Sequence, residues 1–402
     1  MKPADPLILA LNGGSSSIKF ALFQVGAALE RKLYGKIDRI GFDDTHLSFH
    51  NQNSPSQVTY DLLLSDHQSS VNFLLDWLEA QEGFELVRAI GHRVVHGIQH
   101  SKPELITPEL LTELHGISPY VPEHLPSEIK LIETLQKRHP KLPQIACFDT
   151  SFHQTMPRIA KLLPIPRRFD AKGIQRYGFH GLSYAYLMEE LLSLQDTAAQ
   201  SGRVILAHLG NGASMVAVLD GKSIDTSMGF TPASGLVMST RAGDMDPGLV
   251  AFMAQSEQMS VEQFSHMINH ESGLLGVSEI SSDMRDLITK ENKDIRAAEA
   301  IALFCYQAKK CLGSFTAILG GLDTLVFTGG IGENTVRIRE QICKGLGFLG
   351  LELDENKNAK HAAIISSAKS RVCVRIIHTD EDLMIARSVC RTLGFSALEK
   401  KD

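Results

Sequence analysis

The sequence predicts an α/β protein of two similar lobes, each built on a mixed β-sheet flanked by helices. Its 402 residues exceed what one ordinary hydrophobic core accommodates. A segment near residue 7, LILALNGGSSSIKFALF, is echoed near residue 204 by VILAHLGNGASMVAVLD. A unit repeated about half a chain apart indicates two related lobes. Helical patterns and buried-looking strands follow each copy, which is typical of sheets flanked by helices.

The first copy of the repeat predicts a β-hairpin. LILAL is apolar and IKFALF roughly alternates, so both flanks are predicted strands, joined by a tight turn of small residues. The order is therefore strand, loop, strand. A nucleotide-binding P-loop needs strand, loop, helix with the spacing GxxxxGK[ST], and that pattern does not occur in the sequence.

The later elements alternate between strand and helix patterns. Buried strands are predicted within LVRAIGHRVVHG, PQIACFDTSFH, TLVFTGGIGEN and RVCVRIIHTDEDL. In TLVFTGGIGEN the strand leads into a glycine turn that precedes a helix over TVRIREQICKGLG. The polar stretch 50–66 predicts an excursion on the surface.

Composition and charge exclude several classes of protein. The net charge of −6 is spread without a basic run, which argues against nucleic acid or an anionic membrane as the main partner. The amino-terminal apolar run is too short for a secretory signal, and no apolar stretch reaches membrane-spanning length. The six cysteines form no CxxC pair or metal-like cluster, so we expect reduced core thiols in a cytoplasmic protein.

Three turns carry small polar residues suited to phosphate. NGGSSSIK, residues 12–19, offers backbone N–H groups, hydroxyls and the cation of Lys19. An ordinary turn explains the glycines, but three successive serines exceed what turning requires. HLGNGAS at 208–214 repeats this combination in the second half, so the two hairpins could hold a polyphosphate, and DTSMGFTP at 225–232 adds another turn of small polar residues.

Two carboxylates follow apolar strands. Asp149 ends QIACFD and Glu381 lies in VRIIHTDEDL, and carboxylate oxygens at strand ends suit Mg²⁺ beside phosphates. For Glu381 a structural alternative is equally good, because Thr379 and Asp382 fit a helix capping box.

Arginines and histidines supply the remaining candidates. Arg93 interrupts the strand-like GHRVVHG, and Arg241 lies in STRAGDMDPG. Each needs an anionic partner, which is either a bound carboxylate or phosphoryl group or a structural salt bridge. His180, in RYGFHGLSY, would by default be a buried structural histidine. The histidine pairs four residues apart lack the Glu of HExxH, so a zinc hydrolase is not expected.

Taken in order, the motifs resemble those of one family. NGGSSSIK, GHRVVHG, FDTSFHQTMP, RYGFHG, HLGNGAS, DTSMGFTP, TRAGDMDPG, SSDMRD, GGIGEN and TDEDLMIAR run from about residue 7 to residue 390. The chain is similar to acetate kinases and the related propionate kinases. The resemblance implies the acetate and sugar kinase, Hsp70 and actin superfold, with lobes at 1–150, joined by 383–402, and a nucleotide-binding lobe at 151–382.

The resemblance also implies roles for particular residues. Asp149, His180 and Arg241 match catalytic residues. The substrate-binding positions are Arg93, Val95, His124, Phe179 and Pro232. The implied metal-binding residues are Asn12 and Glu381. Nucleotide-binding positions are Ser15, Ser17, Lys19, His208, Leu209, Gly210, Asn211, Gly212, Asp283, Met284, Arg285, Gly330, Ile331, Gly332, Glu333 and Asn334.

The implied reaction is reversible, in-line transfer of a phosphoryl group from ATP to acetate, giving acetyl phosphate and ADP, with Mg²⁺ as the metal and Mn²⁺ as the alternative. Propionate kinase is the alternative, and an ATPase of the same superfold is the alternative outside the kinases. The family forms homodimers, so we expect one here. PEHLP stands where the family usually has PLHNP, which keeps His124 but places Glu123 where the family has a pocket leucine and Leu125 where it has asparagine. We expect Glu123 to turn outward or to pair with a cation.

Overall fold

The computed structural model describes residues 5–14, 16–52, 56–64 and 66–395. The chain divides into two compact units, one formed by Met1–Ser151 with Asp380–Asp402 and the other by Phe152–Thr379. The sequence had suggested a boundary after residue 382. The division instead precedes the last helix, so Glu381 is placed in the first unit.

The first unit is built on an eight-stranded sheet. Its strand order is β5-β4-β3-β2-β1-β6-β8-β7. In chain order the strands are β1 (Leu7–Gly13), β2 (Ser17–Val25), β3 (Leu29–Asp38), β4 (His46–Asn51), β5 (Val58–Asp61), β6 (Val87–Val94), β7 (Glu104–Leu105) and β8 (Gln144–Phe148).

The second unit is built on a five-stranded sheet. The strands are β9 (Arg203–Leu209), β10 (Ala213–Leu219), β11 (Lys222–Thr226), β12 (Thr324–Thr328) and β13 (Cys373–Ile376). Their order is β11-β10-β9-β12-β13.

The two sheets repeat one topology. In the first, β3-β2-β1 form an antiparallel meander, and β6 and β8 continue the sheet in parallel with β1. In the second, β11-β10-β9 form the same meander, and β12 and β13 continue it in parallel with β9. The echoed sequence segments are the β1–β2 and β9–β10 hairpins. The predicted duplication is therefore confirmed at the level of strand order.

Sixteen α-helices are found in the described residues. They are α1 (His67–Glu79), α2 (Pro108–Ile117), α3 (Leu125–Arg138), α4 (Arg158–Lys161), α5 (Arg167–Asp170), α6 (Gly181–Ser193), α7 (Ala198–Ser201), α8 (Gly248–Ser256), α9 (Val261–His266), α10 (Gly273–Ser278), α11 (Met284–Lys290), α12 (Ile295–Leu319), α13 (Gly329–Asn334), α14 (Val336–Cys343), α15 (Glu355–Ala359) and α16 (Glu381–Leu393).

Helix α16 belongs to the sheet of the first unit. It packs against β1 and β6, where Gly91 permits its approach. A Cβ atom at Gly91 would lie 2.4 Å from Cγ2 of Ile385 and 2.7 Å from Cγ2 of Val389. A side chain at position 91 would therefore displace the helix.

Two sequence predictions about secondary structure need correction. The stretch 50–66 is not simply a surface excursion, because it includes the end of β4 and all of β5, which pair at the edge of the sheet. The segment GGIGEN is not a turn before a helix but is itself helix α13, which begins directly after β12. None of the described helices is long and apolar enough to cross a membrane. All six cysteines are free, four of them buried and two half-buried.

Candidate active site

In the first unit, Arg93 and Asp149 form a buried ion pair at the ends of two parallel strands. Arg93 lies near the end of β6, opposite Cys147 of β8, and Asp149 follows β8 directly. The Nε and Nη2 atoms of Arg93 donate to Oδ2 of Asp149 over 2.9 and 2.7 Å. The side chain of Asp149 is 0% exposed and that of Arg93 is 15% exposed. The anionic partner that Arg93 was predicted to need is thus supplied by the protein itself.

A second carboxylate, which the sequence analysis missed, also holds Arg93. Nη1 of Arg93 donates to Oε1 of Glu128 over 3.1 Å, and the backbone N–H of Val95 donates to Oε2 over 2.8 Å. The Glu128 side chain is only 1% exposed. The available signal was its position on the apolar face of α3, whose buried residues are Leu125, Glu128, Ile129, Leu131, Ile132 and Leu135.

Glu381 lies at the start of α16 and contacts Asn12. Nδ2 of Asn12, on β1, donates to Oε2 of Glu381 over 3.1 Å. The capping box of Thr379 and Asp382 is wrong, because the N-cap is Asp380, whose Oδ1 accepts from the N–H of Leu383 at 3.0 Å. Glu381 is therefore not needed to cap α16. This weakens the interpretation that its role at the start of the helix is purely structural.

Burial and neighbouring charges shift the pKa of Glu381. Burial raises the pKa of Glu381, and the charge of Asp149 raises it further, while Lys19, Arg93 and Asn12 oppose the shift. The oxygens of Asn12 and Glu381 are hard ligands of the kind that Mg²⁺ takes. Among the described residues no group of three or more His, Cys, Asp or Glu could hold a metal. A site with few protein ligands still suits Mg²⁺, which keeps several waters and binds phosphate oxygens.

The β1–β2 turn carries the first predicted phosphate-binding segment. The N–H of Gly14 donates to the carbonyl of Ser17 over 2.8 Å. Asn12 and Lys19 are paired across the hairpin, and the Lys19 side chain is exposed. Ser15 lies outside the described residues.

Two predicted substrate-binding residues belong to this unit. Val95 is buried and directly follows β6, and His124 is the N-cap residue of α3. Glu123 is exposed and Leu125 is buried at the start of α3. The departure from the family pattern at 125 is thus accommodated by the core of the first unit.

In the second unit, His180 and His208 stack on each other. Their ring centroids are 4.2 Å apart. His180 adopts φ +59° directly before α6, and its Nδ1 is hydrogen-bonded to Oγ of Ser214 at 2.8 Å. His208, at the end of β9, is hydrogen-bonded through Nδ1 to Oγ of Ser183 at 2.9 Å. Both imidazoles are therefore oriented by serine hydroxyls.

Arg241 lies close to His180 because Gly212 leaves room for both. A Cβ atom at Gly212 would lie 3.0 Å from Nη2 of Arg241 and 3.1 Å from Nε2 of His180. Nη1 of Arg241 donates to the carbonyl of Pro232 over 2.7 Å. Phe179 is buried, and its carbonyl is hydrogen-bonded to Nε2 of the buried His153 at 2.9 Å. The structure thus brings together one arginine, two histidines and the turn 210–212.

The remaining nucleotide candidates lie on two short helices. Asp283 is the N-cap of α11, and Arg285, 86% exposed, pairs with it. Glu333 of α13 accepts the N–H groups of Gly329, at 2.9 Å, and Thr379, at 3.2 Å. Glu333 therefore has a structural role in fixing α13. Gly330, Ile331, Gly332 and Asn334 are carried by the same helix.

The buried Arg339 also supports α13, and the sequence analysis missed it. Its Nη1 donates to the carbonyls of Gly332 and Glu333 over 2.8 and 2.9 Å. Its Nε donates to Oδ1 of Asn358 over 2.7 Å. Burial lowers the pKa of Arg339 to about 10. A guanidinium satisfied mainly by carbonyl groups gives no charge pattern in the sequence by which to find it.

With the geometry established, comparison with known proteins gives the family. A model of the Acetokinase family matches residues 7–387. The chain belongs to the acetokinase family. It is 44% identical over 394 residues to an acetate kinase of Rhodopseudomonas palustris, covering 96% of this chain and 98% of the relative. It is also 40% identical over 390 residues to a propionate kinase of Salmonella typhimurium, covering 96% of each.

Solved structures agree with this membership of the acetokinase family. A propionate kinase from Francisella tularensis matches with a TM-score of 0.89 at 38% identity, covering 95% of this chain and 98% of that one. An acetate kinase from Porphyromonas gingivalis matches with a TM-score of 0.86 at 35% identity, covering 96% and 100%. The predicted fold class is confirmed. As an acetokinase, the protein is a phosphotransferase with a carboxyl group as acceptor.

The buried Glu128 of this acetokinase gives a prediction about stability and pH. Burial raises its pKa from 4.5 to about 7, although Arg93 and the Val95 N–H oppose the shift. The folded protein binds the proton of the Glu128 carboxyl more tightly than the unfolded chain does. Protonated Glu128 therefore makes its full contribution to the free energy of unfolding below about pH 4.5, and this contribution is lost as the pH rises to about 7. We expect Glu128→Gln to lack this loss, measured as the urea unfolding midpoint from pH 4.5 to 7.5. Parallel curves for the two proteins would contradict the assignment.

Proposed function

We propose that the protein is an acetate kinase that reversibly transfers the γ-phosphoryl group of ATP to a carboxylate oxygen of acetate, giving acetyl phosphate and ADP. The observation that carries this proposal is Arg93, a largely buried guanidinium at a strand end beside the contacting pair Asn12 and Glu381. Acetate and propionate kinases are both among the similar proteins, so the choice of acetate rests on the residues.

Arg93 is proposed to bind the substrate carboxylate. A guanidinium group has five N–H donors, and the contacts to Asp149 and Glu128 use three of them. One N–H on each terminal nitrogen remains for a further acceptor, which suits a carboxylate bound by two hydrogen bonds. Asp149 is then a positioning residue that orients Arg93. No strong general base is required, because acetate is already deprotonated at pH 7.

Arg241 and His180 are proposed to stabilise the phosphoryl group during transfer. Negative charge is spread over its equatorial oxygens in the transition state, where fixed cationic and hydrogen-bonding groups are most effective. Hydrogen bonds to Pro232 and Ser214 hold the two side chains in place. In the second unit the nucleotide is assigned to 208–212, 283–285 and 330–334, and Ser15, Ser17 and Lys19 are retained as proposed nucleotide-binding residues of the first unit.

Asn12 and Glu381 are proposed to hold Mg²⁺. The ion would neutralise phosphate charge on the nucleotide. Their mutual hydrogen bond fixes both side chains, and burial raises the pKa of Glu381, so a bound cation would favour its charged form. We further propose that the enzyme is cytoplasmic and works as a homodimer.

The proposed substrate preference rests on Val95, a proposed substrate-binding residue of the first unit. Val95 is buried, and a valine at a substrate-binding position is expected to leave little room beyond a methyl group. We expect kcat/KM to fall in the order acetate, propionate, butyrate, with about tenfold to hundredfold between the first two. Trapping the acyl phosphate with hydroxylamine measures all three.

Each alternative function has a distinct result in that assay. A preference for propionate would support propionate kinase, the second candidate favoured by the similarity to propionate kinases. A preference for butyrate would overturn the proposed role of Val95. Release of phosphate from ATP without any hydroxamate would indicate an ATPase instead.

A further inference from the structure

Glu128 connects two residues that the proposed function assigns to opposite ends of one substrate. Its Oε1 accepts from the side chain of Arg93, proposed to bind the carboxylate, and its Oε2 accepts from the backbone of Val95, proposed to contact the acyl chain. A planar carboxylate with both oxygens engaged fixes these two groups relative to each other. No other described side chain is shown bonding to both residues.

Burying the carboxylate of Glu128 costs free energy, so we expect the residue to have a specific role. Glutamate is almost never fully buried without a partner, and this one lies on the apolar face of α3 between Leu125 and Ile132. Asp149 already provides Arg93 with a buried carboxylate. A second carboxylate adds negative charge close to where a substrate carboxylate would bind, so pairing Arg93 does not by itself account for it.

We propose that Glu128 is a positioning residue that sets the spacing between Arg93 and Val95 and thereby the acyl-chain selectivity of the enzyme. This role rests on the proposed carboxylate kinase function. Arg93 lies near the end of β6, Val95 directly follows that strand, and Glu128 contacts both residues, so Arg93 and Val95 could contact one small ligand. The room for an acyl chain then depends on how far Val95 lies from the guanidinium.

Substituting Glu128 by glutamine tests this spacing directly. Glutamine has the same length but offers one carbonyl oxygen and one NH₂ group, so either Arg93 or the Val95 N–H would face a donor instead of an acceptor. We expect Glu128→Gln to raise KM for acetate about tenfold to a hundredfold and to leave KM for ATP within about twofold. The ratio of kcat/KM for acetate over propionate should fall at least about threefold toward 1.

Two further variants separate positioning from general damage. Glu128→Asp keeps both acceptor oxygens and the charge, so it should recover part of the KM for acetate while altering the substrate ratio. Asp196→Asn is the matched control in the second unit, because Asp196 is also a buried carboxylate and accepts from Arg375 over 2.8 Å. It should lower thermal stability without changing the substrate ratio or the KM for acetate.

The outcomes are distinguishable. Unchanged KM and substrate ratio in a folded Glu128→Gln protein would overturn the proposal, as would an equal loss of kcat on both substrates with unchanged KM. The same shift in Asp196→Asn would also overturn it, by showing a general response to lost stability. If the wild-type protein gave no hydroxamate with any carboxylate, the proposed function would fail, and this role with it.

Discussion

Arg241→Ala is expected to lower kcat about a hundredfold to a thousandfold, the usual loss when one preorganised donor to a developing negative charge is removed. KM for acetate and for ATP should change much less, because the interaction is made mainly in the transition state. The side chain is held by the carbonyl of Pro232 and lies beside His180 at Gly212, which supports a fixed rather than a mobile cation. Steady-state kinetics with the hydroxamate assay measures the effect.

Two variants accompany that experiment. Arg241→Lys keeps the charge but loses the planar pair of donors, so we expect it to recover only part of the activity. Arg296→Ala is the control in the same unit, since Arg296 pairs on the surface with Glu279 and Asp294 and should not affect kcat. Near-normal kcat/KM in Arg241→Ala would rule out the assigned role.

Glu381→Gln is expected to raise the Mg²⁺ concentration for half-maximal rate at least about tenfold and to lower kcat about a hundredfold. The substitution preserves shape and can still bond to Asn12, but it removes the charge proposed to bind the metal. Titration of the rate with Mg²⁺, and separately with Mn²⁺, measures both effects.

The neighbouring Asp382 provides a matched control for Glu381. Burial raises its pKa to about 6, and its Oδ1 has no hydrogen-bond partner among the described residues. Asp382→Asn also removes a carboxylate from the first turn of α16, so any effect of helix charge should be common to both variants. An equal rise in Mg²⁺ requirement for the two would contradict a specific metal ligand at Glu381.

The sequence predicted the two hairpins and their duplication well, because apolar strands and glycine-rich turns are local signals. It did not predict that 329–334 is helical, since three glycines in six residues disfavour a helix. The segment is held by contacts distant in sequence, from the Arg339 guanidinium to the carbonyls and from Thr379 to Glu333. Such tertiary bonds override local propensity.

In the candidate site too, the residues with a local sequence signal could be predicted, and those whose roles depend on tertiary contacts could not. Arg93 and Asp149 could be selected because each interrupts or ends an apolar strand. Glu128 could not be given a role from the sequence, because the distance between α3 and β6 depends on the fold. Likewise, the choice of Asp380 over Thr379 as the N-cap depends on where the chain enters α16. The hydroxyl of Thr379 is instead hydrogen-bonded to Ser183 at 2.8 Å.

The packing of α16 over Gly91 has a consequence for biosynthesis. During translation, β1 and β6 leave the ribosome well before α16, because the whole second unit, Phe152–Thr379, lies between them in the chain. Domains usually fold as they are synthesised, amino-terminal part first. In this protein the apolar surface beside Gly91 stays uncovered until Ile385 and Val389 of α16 have been synthesised. A ribosome that stalls before residue 380 would release a chain without the proposed metal ligand Glu381 and with an exposed sheet face, a ready substrate for chaperones and proteases.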